Sequence, residues 1–266
     1  MPDYEVNRFG ERRRDRFDHF TEFDDGVFAV NDTASNRFQP AAGWRATTDG
    51  LTLAAVTDNF DTNTGGVVFE TVSSGSTALS FLQPMLSVFL QEDKSWPDVD
   101  FEMRFHFDIT SLPTSNFEFL IGLFQNKNPV TTLDNPSGSS GTDRIALGFA
   151  SNAGEIGSLE SYVTTNSELY GQANLNGSPK VKASTLHTFG LETRSRQLRF
   201  FFDGQHVVTH DLTNTVANAT EYSKARINNG VRYYAGIVQR STASVKTAPD
   251  YALVSGKRSK GLGLGD

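Results

Sequence analysis

The sequence predicts an all-β chain folded as an antiparallel two-sheet sandwich. Three observations predict it. From Asp98 to Ile109 the chain alternates strictly: Val99, Phe101, Met103, Phe105, Phe107 and Ile109 against Asp98, Asp100, Glu102, Arg104, His106 and Asp108. That period of two is a long strand with one face in a core and one outward. Turn pairs recur along the chain, at Asp25-Gly26, Asp49-Gly50, Asn176-Gly177, Asp203-Gly204 and Asn229-Gly230, and each suits a tight reversal. Phenylalanine is abundant, 21 residues against 3 methionines in a chain of 266, and large rings fill the gap between stacked sheets.

The elements follow in order. Residues 1–16 are polar and charged and read as an N-terminal arm. The sandwich is expected over 17–245. Leu51 to Val56 follows the Asp49-Gly50 turn. Gly66 to Val72, Thr77 to Leu82 and Leu86 to Leu90 come next. Phe117 to Phe124 is expected to pair with the 99–109 strand across the loop 110–116. Ile145, Leu147 and Phe149 alternate. His187 to Thr193 and Leu198 to Phe202 lie close together. Leu198–Phe202 and Val207–Leu212 bracket Asp203-Gly204, a hairpin signal. Tyr233 to Gln239 is the last clear strand. Ala217 to Arg226 has room for a short helical turn, and Lys127 to Thr142 is a long polar loop. Residues 246–266 read as a C-terminal tail. Many short strands with almost no helix make a sandwich.

Composition excludes several classes. A formal net charge of -7 argues against nucleic acid, which needs a positive footprint. Arg12, Arg13, Arg14 and Arg16, and Lys257, Arg258 and Lys260, cluster near the ends and read as solvated arms or, alternatively, as arms that dock on an acidic partner. Mean hydropathy is -0.38, and no apolar run approaches the ~20 residues that span a bilayer. There is no cysteine, hence no disulfide and no thiolate metal site. The start, Met1-Pro2-Asp3-Tyr4-Glu5, has no apolar signal region. His206 and His210 share a strand, where four residues span ~13 Å, too far for one metal ion. No metal site is assigned.

Two segments together resemble the concanavalin A-like lectin/glucanase superfamily. One is Val99–Ile109 followed by Phe117–Phe124. The other is Thr188-Phe-Gly-Leu-Glu-Thr-Arg194, then Leu198-Arg-Phe-Phe-Phe-Asp203-Gly204, similar to the hairpin and F-x-D-G turn near the end of such domains. Phe20–Asp25, Gly43-Trp44 and Asp49–Leu53 fit the opening. The likeness covers roughly residues 17–242. It implies a jelly-roll sandwich and leaves function open among lectins, glycoside hydrolases, lyases, adhesion modules and viral structural proteins.

Each reading names its residues. Asp98, Asp100 and Glu102 lie ~7 Å apart along one strand face. Their spacing resembles the Glu-x-Asp-x-Glu motif of the superfamily's β-glucanases. Carried over, Asp98 is nucleophile, Asp100 the assisting acid and Glu102 the acid/base, although the motif has Glu where this chain has Asp98. The plain alternative is a solvated polar strand face. For carbohydrate binding the candidates are Trp96, Tyr233 and Tyr234, with Trp44, Tyr162 and Tyr170 as further aromatics. Tyr233 and Tyr234 are adjacent in a strand, so one of them faces outward. Calcium, which lectins of this superfamily often bind, would need the loop oxygens of Asp58, Asp61 and Asn63 or of Asp24 and Asp25. The favoured function is a non-catalytic structural or interaction sandwich, a virion component (head decoration, fibre or tail) or an extracellular protein, with glycan binding. Its partners are protein subunits, including further copies of itself, and glycans. The alternatives are a β-glucanase-type hydrolase and a plain lectin-like module.

Overall fold

In the computed structural model the described residues are 16–23, 30–32, 37–39, 44–49, 56–58, 67–71, 77–89, 99–107, 117–124, 144–150, 159–165, 168–174, 179–194, 197–211, 232–241 and 245–257. They form strands β1 (Arg16–Glu22), β2 (Val30–Asp32), β3 (Arg37–Gln39), β4 (Arg45–Asp49), β5 (Val56–Asp58), β6 (Val67–Thr71), β7 (Thr77–Phe89), β8 (Val99–Phe107), β9 (Phe117–Phe124), β10 (Arg144–Ala150), β11 (Glu160–Thr165), β12 (Glu168–Asn174), β13 (His187–Arg194), β14 (Gln197–Phe202), β15 (Gln205–Asp211), β16 (Arg232–Ser241) and β17 (Val245–Lys257), with no helix among the described residues. One sheet has the order β15-β14-β13-β8-β17-β6-β5, with β1 also on β17. The other has the order β12-β11-β10-β9-β16-β7-β4-β3-β2. Both sheets are antiparallel, so the expected two-sheet sandwich is the observed one. The possible helical turn at 217–226 lies outside the described residues.

The core is a phenylalanine layer between the sheets. Phe101, Met103, Phe105 and Phe107 on β8 are buried, as are Phe117, Phe119, Ile121 and Leu123 on β9. The rings of Phe105 and Phe119 lie 5.1 Å apart, those of Phe107 and Phe119 5.0 Å, and those of Phe107 and Phe117 5.6 Å. The expected pairing of β8 with β9 is therefore corrected. β8 pairs with β13 and β17, and β9 with β10 and β16. The two strands face each other across the core instead of lying side by side, because each carries an apolar face that only an opposing layer can cover. β9 is apolar on its second face too. There Leu120 and Phe124 join Ala146, Tyr162 and Val238 in a smaller buried cluster. Gly122 belongs to the same face, at φ 156, and a Cβ there would sit 2.2 Å from the Ile145 carbonyl oxygen. Only glycine allows β9 and β10 that approach.

Three register shifts explain where alternation misleads. The two short strands expected at 77–82 and 86–90 are the single strand β7. Its register with β16 slips between Leu82 and Ser87, around Pro84, which has no N–H to give a ladder. On β15 a slip places Val208 opposite Phe200 but His206 opposite Phe201. His206 is thereby exposed and His210 buried, so the two histidines leave on opposite faces.

The third shift corrects the C-terminal boundary. Residues 246–257 are not tail. β17 runs between β8 on one side and β6 and then β1 on the other. Pro249 faces Phe105 and Tyr251 faces Arg104, leaving Asp250 as the extra residue of a bulge. One extra residue exchanges the faces of everything after it. Val245 and Thr247 are buried before it, Ala252 and Val254 after it.

A few polar groups cross or tie the sandwich. Ser161 on β11 and His210 on β15 share a 2.8 Å hydrogen bond between the sheets. Gln239 on β16 donates to the Val245 carbonyl at 3.3 Å and accepts from the Thr247 hydroxyl. The Asp203-Gly204 turn has φ 49 and 74, the both-positive geometry of a type I′ hairpin. The Asp203 carboxylate accepts the Thr188 N–H at 2.9 Å and lies 2.9 Å from His187 Nδ1. His187 Nε2 lies 2.9 Å from the Lys182 N and 3.2 Å from the Lys182 carbonyl oxygen, so the ring is held on both sides. The F-x-D-G turn is thus pinned to the start of β13.

Two predictions follow from these ties. Asp203→Ala removes both side-chain acceptors and puts an alanine at positive φ, so urea denaturation should show a loss of about 2 kcal/mol, with Asp203→Asn losing less. An unchanged midpoint would contradict the pinning. Burial pushes the His210 pKa below 6.5. The unfolded chain then binds this proton more readily, so stability is complete above the unfolded value and declines as pH falls from about 6.5 toward the folded one, by at most ~1.4 kcal/mol per pH unit. The difference between wild type and His210→Gln in thermal melts from pH 7 to 5 should show that decline; parallel curves would refute it.

Candidate binding face on the eight-stranded sheet

Strand registers align the outer face of this sheet in rows that run across the strands. The central row is Phe20 on β1, Leu253 on β17, Glu102 on β8, Gly190 on β13, Phe201 on β14 and His206 on β15, each opposite the next. One flanking row holds Tyr251, Arg104 and Thr188, and the other Ser255, Asp100, Glu192 and Arg199. Alternation on β8 directs Asp100, Glu102 and Arg104 outward because their neighbours Phe101, Met103 and Phe105 are buried. The bulge at Asp250 brings Tyr251 into this face.

The side chains form a connected surface. The Tyr251 hydroxyl donates to Glu102 Oε1 at 2.6 Å, and the Ser255 hydroxyl to Asp100 Oδ2 at 3.4 Å. Arg104 pairs with Asp250 and lies over the Tyr251 ring, 4.9 Å from its centroid. The Phe20 ring is 5.7 Å from that of Tyr251 and is 54% exposed, so an exposed ring and a half-buried one border the polar groups. Further along the row Phe201 packs by Gly190: a Cβ on Gly190 would lie 3.3 Å from that of Phe201. The Phe201 ring meets His206 edge-on at 5.5 Å. Burial first, then the bond to Glu102, raises the Tyr251 pKa well above the ordinary tyrosine value, so its hydroxyl keeps its proton and holds Glu102 as an acceptor.

Of the residues singled out from sequence, Asp100 and Glu102 share this face. Asp98 and Trp96 lie outside the described residues. Tyr233 and Tyr234 are on β16 in the other sheet, not near β8. Tyr234 is the partner that faces outward, half-buried against the Leu120 cluster; the Tyr233 side chain is outside the described part. Trp44 is a core residue, its ring 5.3 Å from Phe23 and its indole N–H donating to Thr21 Oγ1 at 3.1 Å. Tyr162 is buried, with its hydroxyl on Glu160 at 2.6 Å. Among the calcium candidates only Asp58 is described, as main chain in β5. No group of three His, Asp or Glu among the described residues is placed to hold a metal ion. Phe20, Phe201, Glu192 and Tyr251 were not singled out from sequence. Phe20 has a usable signal, an aromatic in an Asp-His-Phe-Thr-Glu context where polar residues flank the outward position.

Replacing Tyr251 or Glu102 tests the network directly. In an alkaline spectrophotometric titration Tyr251 should contribute to a late tyrosine phase. Tyr251→Phe should reduce that phase by one tyrosine, and Glu102→Gln should bring part of it to lower pH, since a neutral partner no longer opposes the phenolate. A titration unchanged by Glu102→Gln would break the assigned contact.

No family model matches the chain, and no curated protein matches it. Its structure is similar to several solved lectins. Peanut lectin superposes with a TM-score of 0.53 at 8% identity, covering 91% of this chain and 97% of that one. Lectin I from Ulex europaeus, in complex with the methyl glycoside of alpha-L-fucose, gives 0.52 at 9% identity, covering 90% and 98%. The carbohydrate recognition domain of Emp47p gives 0.51 at 10% identity, covering 83% and 91%. At such identities the likeness is one of fold, and with it the element order and the two antiparallel sheets the chain is placed: it has the concanavalin A-like jelly-roll fold of the lectins.

Proposed function

We propose that this protein is a non-catalytic, lectin-like glycan-binding sandwich that uses the outer face of its eight-stranded sheet. The observation that carries the reading is the exposed Phe20, packed on the half-buried Tyr251, set beside Glu102, Asp100 and Arg104. Sugars present both an apolar C–H face and a rim of hydroxyls. An aromatic ring covers the first, and carboxylate and guanidinium groups bond the second. Lectins among its structural neighbours, one of them solved with a fucoside, agree with the reading.

Catalysis is the weaker use of the same residues. In the glucanase resemblance Glu102 would deliver a proton to a leaving oxygen. Here it receives the Tyr251 hydroxyl, whose own proton is held tightly. The assisting acid of that resemblance, Asp100, accepts from the Ser255 hydroxyl, and Asp98 lies outside the described residues.

The reading is tested by affinity electrophoresis through gels cast with laminarin, hydroxyethyl cellulose, galactomannan, xylan and alginate, with reducing ends assayed in the same lanes. Retardation without new reducing ends is expected, and Phe20→Ala should weaken it about tenfold without changing the thermal midpoint. New reducing ends that disappear in Glu102→Gln would make the protein a hydrolase. Free migration through every gel would leave subunit assembly, in a virion or another oligomer, as the role to pursue.

A further inference from the structure

We infer that the site is an elongated one, which takes an internal segment of a linear, neutral polysaccharide laid across the strands, and not a pocket for one sugar ring. This inference rests on the glycan-binding reading. The central row has an aromatic side chain on each side of Glu102, Phe20 on β1 and Phe201 on β14. Four strand-to-strand steps separate the two backbones, and at ~4.8 Å per step they stand up to ~19 Å apart. No single ring reaches both. A chain can, with one residue over Phe20, another over Phe201 and the intervening hydroxyls near Glu102.

The contour along the row suits such a chain. Gly190 carries no side chain opposite Glu102, and Phe201 occupies the space beside it, its Cβ 3.3 Å from where a Gly190 Cβ would stand. The row therefore has no tall side chain between Glu102 and the Phe201 ring. His206, exposed at the far end, continues the aromatic surface past Phe201. The six positions together span from β1 to the edge strand β15, with Leu253, Glu102, Gly190 and Phe201 partly exposed between the exposed Phe20 and His206.

Charge selects among polymers. Across the three rows the outward carboxylates Asp100, Glu102 and Glu192, with Glu22 at the margin, face the guanidiniums of Arg104 and Arg199, and Arg104 is already paired with Asp250. A polyuronate or sulfated chain would bring its charges against these carboxylates, which opposes binding. A neutral chain meets hydrogen-bond acceptors instead.

The test is calorimetric titration with the oligosaccharide ladder, monomer to hexamer, of whichever neutral polymer retards the protein. Affinity should climb at least tenfold from the monosaccharide to the longest member. Phe20→Ala and Phe201→Leu should each lower affinity for the longest member about tenfold. At least one of them should leave the shortest binding member unaffected. Phe201→Leu keeps apolar bulk beside Gly190, so it separates loss of the ring from loss of the fold, and melting curves confirm that both variants are folded. A monosaccharide that binds as tightly as the hexamer, or a hexamer affinity that only one of the two substitutions lowers, would overturn the elongated site while leaving glycan binding intact. Alginate retardation equal to that of neutral polymers would overturn the charge selection. Failure of every polymer and oligomer to bind would overturn both this inference and the function beneath it.

Discussion

The structure depends on one packing constraint, the phenylalanine layer that locks β8 of one sheet against β9 of the other. Phe105 and Phe107 contact Phe117 and Phe119 with centroids 5.0–5.6 Å apart, and Phe101 meets Phe189 on its own sheet at 5.6 Å. Each buried ring contributes on the order of 1.5–3 kcal/mol of transfer free energy, so sliding β8 by one residue would bring Asp100, Glu102 and Arg104 into the place of buried apolar side chains. That cost fixes register. With register fixed, Asp100, Glu102 and Arg104 have one direction to point, and the outer face is a consequence of the core.

The neighbours of β8 inherit the same order. β17 aligns Tyr251 with Arg104 and Leu253 with Glu102, and it does so only because Asp250 bulges out. The bulge also marks where β17 exchanges β6 for β1 as its second partner. The Phe23 N–H donates to the Asp250 carbonyl at 3.0 Å, and the Asp250 side chain pairs with Arg104. One irregular residue thereby ties the end of β1, the centre of β17 and the outward face of β8. Bulges often re-aim side chains in this manner next to functional surfaces.

What could be read from sequence follows the same physics. β8 was legible because its alternation is unbroken, and the β14–β15 hairpin because Asp203-Gly204 states its turn. β17 was not. Its apolar residues change phase at Pro249-Asp250, from Val245 to Ala252 and Val254, so a window across it sees no period, and Lys246, Pro249 and Lys257 give it the look of a tail. The β8–β9 pairing failed for another reason. A period of two reports which face is buried but not whether the next strand lies beside or opposite, and here both strands need cover. The candidate site shared this fate. Its carboxylates lie on the legible strand, whereas Tyr251 lies beyond the phase slip, and Phe20 and Phe201 join them only through registers that no local pattern encodes.

The same carboxylate row supports two chemistries, and the proposed reading weighs them by its neighbours. A strand that alternates Asp, Glu and Arg presents acids at catalytic spacing whether or not they do chemistry. An acid/base residue needs a proton to give and a position from which to give it. Glu102 has a tyrosine on one side that keeps its own proton, a glycine on the other, and aromatic rings on each side along its row. These surroundings suit hydrogen bonds to a ligand's hydroxyls, with the rings providing affinity over a length that one acid cannot cover. In the proposed reading the row is the polar middle of an aromatic-flanked binding surface, a role that depends on the six-strand register and not on the local motif that first drew attention to it.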